Sequence, residues 1–163
     1  MKNNPKIVIT VGDEAGVGPE IILKALASNE LPKKINIVIV GNKRNLISKY
    51  IFLKSLGIKK IVDPNDLDIE DLTISAKNVE RPSIETGNAS FLYLKYAIEI
   101  VKNSPHSALV TSPICKKLWN SAGHNYSGQT ELLSEICKSP NVGMLFTAKS
   151  PFTGWRFNTL LAT

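Results

Sequence analysis

Lys6-Ile-Val-Ile-Thr-Val-Gly-Asp-Glu-Ala-Gly-Val-Gly-Pro-Glu20 is the stretch that decides how the chain folds. Ile7, Val8 and Ile9 form a short continuous apolar run, the pattern of a strand covered on both faces. Gly12 and Gly16 permit a sharp turn, and Gly18 permits close approach of backbone. Pro19 suits the first helical position, where its missing donor would be unpaired anyway. Ile21, Ile22, Ala25 and Leu26 then recur at helical spacing, with Glu20 where the helix dipole favours a carboxylate. Strand, glycine turn and helix in this order imply an α/β fold, whose crevices lie beyond the C-terminal ends of parallel strands. The glycines lack the spacing of the dinucleotide fingerprint, and no Gly-Lys-Ser/Thr follows, so the turn is neither a Rossmann turn nor a P-loop. A binding crevice and a plain structural connection both remain open for it.

Working outward, the same rhythm continues. Ile35 to Val40 reads as a second buried strand ending at Gly41, and Asn45 to Leu56 as a helix closed by Gly57. Lys59 to Val62 suits a short strand, Asp63 to Asp71 an acidic loop containing Pro64, and Leu72 to Val79 an edge strand. Glu85-Thr-Gly-Asn-Ala leads into a long amphipathic helix carrying Leu92, Tyr96, Ile100 and Val101. Ser107 to Pro113 repeats the opening design, an apolar strand running into a turn with Thr111 and Ser112. Asn120 to Asn125 makes a polar turn through Gly123, and a helix follows, ending near Cys137. Phe157 to Thr163 reads as another strand. No repeat, low-complexity tract or linker interrupts the pattern.

With 163 residues and 43% apolar content the chain can bury one core. No run approaches the roughly 18 to 20 apolar residues that span a bilayer, and the N-terminus shows no apolar signal core, so a cytoplasmic location without membrane association is expected. Cys115 and Cys137 form no CxxC pair, which argues against a zinc ribbon or disulfide scaffold and suits structural thiols in a reducing compartment. The net charge of +6 suits an anionic partner, a phosphorylated metabolite or nucleic acid. The lysines are dispersed as Lys33-Lys34, Lys59-Lys60 and Lys116-Lys117 without aromatic interleaving, so a nucleic-acid partner is not expected.

Candidate chemical groups are few. His106 and His124 have no metal-ligand partner at suitable spacing and read as solvated loop residues. Asp13 and Glu14 sit in the glycine turn, where carboxylates bind a metal or a ribose hydroxyl or cap a helix; capping is the favoured reading. Neither GxSxG nor HExxH occurs. The helix start at Ser127, Gly128, Gln129 and Thr130 offers backbone donors and a dipole to a phosphate, or is capped by Ser127 or Thr130.

Three blocks then resemble a family: Ile9-Thr-Val-Gly-Asp-Glu-Ala-Gly-Val-Gly-Pro-Glu-Ile21, Ala108-Leu-Val-Thr-Ser-Pro-Ile-Cys-Lys116 and Asn120-Ser-Ala-Gly-His-Asn-Tyr-Ser-Gly-Gln-Thr-Glu131, with Gly87 and Ala89 as a weaker fourth. In content, order and spacing they are similar to the N-terminal half of the 4-hydroxythreonine-4-phosphate dehydrogenase family of pyridoxal 5'-phosphate (vitamin B6) biosynthesis. The resemblance implies an isocitrate/isopropylmalate dehydrogenase-like three-layer α/β/α fold, truncated after its first half. It implies oxidation, with decarboxylation, of 4-phosphooxy-L-threonine by NAD or NADP, a divalent metal (Zn, Mg or Co), and a homodimer. Residues 1–163 would be the N-terminal portion, with the cofactor site and the three metal histidines beyond Thr163 and no catalytic group within it. The segment alone is then expected to be inactive. Of the family's substrate-contacting His-Thr pair Thr130 is kept, whereas Gln129 stands at the histidine and carries no charge. Glu14 stands where proline is usual, Cys115 where asparagine or histidine is common, and Lys149 to Trp155 is longer than the usual hairpin. Two other readings are therefore carried: a sister dehydrogenase acting on another phosphorylated four-carbon acid, such as an erythronate phosphate, and a non-catalytic fragment with exposed apolar edges.

Overall fold

The computed structural model describes residues 4–28, 31, 34–74 and 79–161. It divides into two units, Met1–Tyr126 and Ser127–Thr163. In the first, β1 (Lys6–Thr10), α1 (Gly18–Leu26), β2 (Asn36–Gly41), α2 (Lys43–Ser55), β3 (Asp68–Asp71), α3 (Ile84–Lys102), β4 (Ser107–Thr111) and α4 (Lys116–Ser121) follow one another. The four strands pair in the order β3-β2-β1-β4, all parallel, with Val8 opposite Val38 on one side and Leu109 on the other.

Strand alternation sends successive side chains to opposite faces, which sorts the helices into layers. Val8 and Val40 pack on Ala89, Tyr93 and Ala97 of α3. Ile39, joined by partly buried Ile9, Ile37 and Ile69, packs on Ile22 of α1 and Leu46 of α2. The connections through α1 and α2 carry the chain from β1 out to β3, and α3 carries it back past β1 to β4. Parallel crossovers are right-handed, so reversing direction along the sheet puts α3 on the opposite face. The fold is thus α/β with a parallel sheet between helical layers, in the class expected.

Several local expectations are corrected. The edge strand is Asp68–Asp71, inside the stretch read as a loop, while Leu72 to Ile74 lie beyond it and residues 75–78 fall outside the described ones. Strand β3 is only half-buried on its better-covered side, so its acidic residues face solvent and hide the alternation. Lys59 to Val62 forms no strand; Ile61 instead fills a cluster with Leu23 and Leu53. Helix α3 begins at Ile84, so Gly87 and Ala89 lie inside it. Its start is a capping box, in which the Ser83 hydroxyl accepts from the Thr86 amide and Thr86 Oγ1 accepts from the Ser83 amide. Its buried stripe runs through Ser90, Tyr93, Leu94, Ala97 and Ile98, rotated from the Leu92–Tyr96–Ile100 line. Small residues make that contact because the helix lies close to the sheet. Helix α4 was not expected.

In the second unit, α5 (Gln129–Ile136) is followed by β5 (Met144–Lys149) and β6 (Arg156–Leu161), an antiparallel pair. The strand expected at 157–163 therefore belongs to a hairpin in a separate two-stranded sheet, and residues 162–163 fall outside the described ones. The register places Met144, Phe146 and Ala148 with Leu161, Thr159 and Phe157 on one face. Leu145, Phe146, Trp155, Phe157 and Leu160 of this hairpin are exposed.

In α1, Leu23, outside the apolar pattern read from the sequence, is 0% exposed, whereas Ile21, within that pattern, is 49% exposed. Leu23→Ala is expected to cost about 3 kcal/mol in urea denaturation and Ile21→Ala less than about 0.5 kcal/mol. Equal losses would mean that α1 presents a different face to the sheet.

Candidate functional site

In a sheet of this order the chain leaves β1 towards β2 on one side and meets β4 on the other, so the switch point lies beyond the C-terminal ends of β1 and β4. The glycine turn after β1 and the Ser112-Pro113 turn after β4 both fall there. They pack backbone against backbone. The Asp13 amide donates to the Pro113 carbonyl at 3.1 Å. Gly12 has φ +73°, and a Cβ there would stand 2.4 Å from Pro113 O. On the other side of the turn, a Cβ on Gly18 would stand 2.1 Å from Val11 O, which lets α1 start directly against the end of β1. Thr10 and Ser112 are buried at this rim.

The two carboxylates of the turn do different work, and neither caps α1. The residue at the cap position is Val17, which makes no side-chain bond. Asp13 closes its own turn, its Oδ1 accepting from the Ala15 amide at 3.0 Å and its carbonyl from the Gly16 amide at 2.9 Å. Glu14 turns inward and is 2% exposed. Its Oε1 accepts from Tyr93 Oη at 2.7 Å, and its Oε2 from Asn45 Nδ2 at 2.6 Å. Burial raises the Glu14 carboxyl above its ordinary range, and the Tyr93 and Asn45 hydrogen bonds offset part of that. Burial and then the Glu14 charge push the Tyr93 phenol up in turn. Asn45 is fixed by the first turn of α2, where its amide donates to Asn42 Oδ1 at 3.2 Å. Tyr93 and Asn45 were missed from the sequence because they lie 79 and 31 residues from Glu14. A cavity of about 330 Å³ opens beside Glu14, lined also by Asn45, Ser48, Lys49, Phe52, Val79 and Glu80.

His124 is not a solvated loop residue. Its ring stacks on Phe91 at 3.6 Å between centroids and 7° between planes, and Nε2 lies 2.7 Å from Asn88 Oδ1. Partial burial first, then Lys95, holds its pKa below the ordinary value. Trp119 meets the same Phe91 edge-on, and its Nε1 donates to Ser90 Oγ at 2.7 Å. These contacts fasten the Asn120–Asn125 turn to α3. Cys115 precedes α4 at its cap position and is half-buried, Cys137 is exposed, and both are free thiols. His106 ends the approach to β4 with φ +60°, its carbonyl accepting from the Lys6 amide.

In the second unit, Gln129 and Thr130 are the first two residues of α5 and both are half-buried. The cap position is Gly128, with no side-chain cap, so neither Ser127 nor Thr130 caps the helix. Thr130 also lines a cleft of about 350 Å³ with Glu131, Ser134, Glu135, Val142 and Met144. Among the described residues no three His, Cys, Asp or Glu side chains come together to hold a metal ion. The described residues therefore do not by themselves make up a metal site. No helix among them is long and apolar enough to cross a membrane.

The layout is similar to that of solved dehydrogenases. A 4-hydroxythreonine-4-phosphate dehydrogenase from Burkholderia phymatum superposes with a TM-score of 0.73 at 28% identity, over 88% of this chain and 47% of its own. One from Klebsiella pneumoniae does so with 0.74 at 26%, over 89% and 48%. In sequence, residues 33–163 match the family described as pyridoxal phosphate biosynthetic protein PdxA, and the chain belongs to that family. A 4-hydroxythreonine-4-phosphate dehydrogenase from Nostoc sp. strain PCC 7120 is 42% identical over 99% of this chain and 46% of its own length. A relative from Oceanobacillus iheyensis, provisionally named a D-threonate 4-phosphate dehydrogenase, is 33% identical over 91% and 48%. The chain spans about half the length of the curated relatives it matches.

The Glu14 contacts yield a pH-dependent prediction. Its folded pKa is raised above 4.5, so the native state holds this proton where the unfolded chain has released it. The group's contribution is greatest below 4.5 and is lost as pH rises through the folded value. Glu14→Gln is expected to flatten the fall in Tm upward from that pH. Tyr93→Phe, which leaves the carboxylate with one donor fewer, should lower stability by about 2 kcal/mol. A Glu14→Gln profile parallel to that of the parent chain would place the titration elsewhere.

Proposed function

We propose that this chain is the N-terminal portion of a dehydrogenase that oxidises 4-phosphooxy-L-threonine in pyridoxal 5'-phosphate biosynthesis. The observation that carries the reading is family membership together with the 4-hydroxythreonine-4-phosphate dehydrogenase name of its 42% identical relative. In the proposed reaction the alcohol carbon gives its hydride to NAD or NADP and the hydroxyl its proton to a base, and the 3-oxo acid then loses carbon dioxide. The cofactor and the divalent metal are assigned to residues outside this segment, and the working protein to a homodimer in the cytoplasm.

The segment's own task is to hold the substrate phosphate, and Gln129 and Thr130 are assigned to it. Both sit in the first turn of α5 behind a glycine cap, where backbone donors and the dipole favour an anion. Thr130 supplies a hydroxyl donor and Gln129 an amide donor. The neutral Gln129 favours a second reading as well, a sister enzyme for another phosphorylated four-carbon acid. The provisional D-threonate 4-phosphate name of the Oceanobacillus relative is of that kind.

The test is to assay the product of the complete coding sequence with NAD on 4-phosphooxy-L-threonine, D-threonate 4-phosphate and erythronate 4-phosphate. Turnover of the amino acid first is the expected result; turnover of only the non-amino acids establishes the sister enzyme instead, and inactivity on all three rejects both. Thr130→Val should raise KM about tenfold or more with little change in kcat, as loss of a hydrogen bond to a charged group requires. Gln129→His should lower KM below neutral pH, where the imidazole gains a charge.

A further inference from the structure

The positive charge of the chain is gathered in one stretch. Residues 31–62 hold eight of its twenty lysines and arginines and none of its fourteen acids. Of the residues outside the described ones, only Glu30 is acidic. Helix α2 (Lys43–Ser55) is the centre of that stretch and carries Lys43, Arg44, Lys49 and Lys54. None of these is ion-paired among the described residues, where the pairs join Lys24 to Glu20 and Lys102 to Glu99. Glu14 and Glu80 line a cavity with Lys49 without an ion pair to it. Lys49 and Lys54 instead stand over the Phe52 and Tyr50 rings, at 5.7 and 5.6 Å from their centroids.

The acidic run that follows is turned elsewhere. Asp63 and Asp71 accept from the amides of Asn65 and Lys43, at 2.9 Å each. Ile69 packs against the cluster of Ile39 and Leu46 on the α2 side of the sheet, so strand alternation directs Asp68 and Glu70 to the α3 side. Glu70 accepts there from Tyr96 Oη at 3.4 Å. Asp66 is the one acid of the run left to offset α2.

Apolar side chains share the outer side of the helix. Leu46 and Leu53 point inward and are buried, whereas Ile51, Phe52 and Leu56 are 61%, 54% and 61% exposed. At about 3.6 residues per turn, Ile51 lies opposite Leu53, in line with Arg44, Ser48 and Ser55. Leu56 follows at the helix end, and Lys59 and Lys60 are exposed just beyond it. The C-terminal end of α2 thus shows large apolar groups with cations around them.

We propose that the outer side of α2 docks on an anionic phospholipid surface, with Ile51, Phe52 and Leu56 entering the headgroup layer and the lysine ammoniums at the lipid phosphates. The apolar side chains project from a convex helix, so the surface offers knobs rather than a groove. A bilayer interface yields to such knobs without a matching shape, and the lysine stems lie along it while their charge stays in water. A nucleic-acid backbone would satisfy the cations and leave the apolar side chains in water. The contact lies on the bilayer; no helix among the described residues is long and apolar enough to cross one. It is independent of the proposed reaction.

The test is co-sedimentation of the product of the complete coding sequence with vesicles of phosphatidylcholine alone, and of phosphatidylcholine with about one-third phosphatidylglycerol. At low salt the partition coefficient is expected to be at least about tenfold higher on the anionic vesicles and to fall as salt is raised. The triple variant Lys54→Gln, Lys59→Gln, Lys60→Gln should lose about tenfold or more on them. The double variant Ile51→Ser, Leu56→Ser should lose severalfold, and Leu145→Ser on the hairpin should lose nothing. All six positions are exposed, and unchanged melting temperatures would show that the variants are folded. Equal partition on both vesicles, no binding to either, full binding by either α2 variant, or a loss caused by Leu145→Ser would each overturn the proposal. Binding to poly-L-glutamate with none to the anionic vesicles would overturn it too, assigning the face to an acidic protein segment instead.

Discussion

The fold depends on two turns meeting without side chains between them. Where the sheet order reverses at β1, the glycine turn and the Ser112-Pro113 turn would ordinarily flank an open crevice. Here the Asp13 amide reaches the Pro113 carbonyl, and Gly12, in a left-handed conformation, removes the atom that would hold them apart. With the crevice closed at that point, the turn's second carboxylate is directed away from β4. It enters the space between α2 and the sheet rim, where a cavity of about 330 Å³ opens.

Glu14 thereby joins the two helical layers. Tyr93 comes from α3 on one face of the sheet and Asn45 from α2 on the other, and both donate to the same carboxylate. The joint is polar and directional, unlike the apolar packing that holds each layer to the strands. It also concentrates cost, because removing either donor leaves a buried charge less well solvated.

Much of the architecture was legible because parallel strands are apolar on both faces and announce themselves as short runs. Lys6 to Thr10, Asn36 to Gly41 and Ser107 to Thr111 are such runs, and each is followed by turn chemistry. What escaped was decided by neighbours. The acidic strand Asp68–Asp71 exists because β2 has an open edge to pair with, and its own side chains give no sign of it. The buried stripe of α3 uses Ala89, Ser90 and Ala97 because the helix lies close to the sheet, and small residues carry little weight in a periodicity. The glycine turn before α1 and the helix start at Gln129 lie where their local turn and helix signals put them. The roles of Glu14 and His124 were not legible, since partners such as Tyr93 and Phe91 are brought near only by the fold.

The two tryptophans of the chain lie one in each unit. Trp119 is fully buried against Phe91, with its indole nitrogen bonded to Ser90, whereas Trp155 stands 64% exposed at the turn of the hairpin. An indole held in an apolar surrounding emits to the blue of one in water. The chain's native fluorescence is therefore a sum of two separable bands. Only the blue band depends on the integrity of the parallel-sheet unit, and a soluble quencher would reach the red band first.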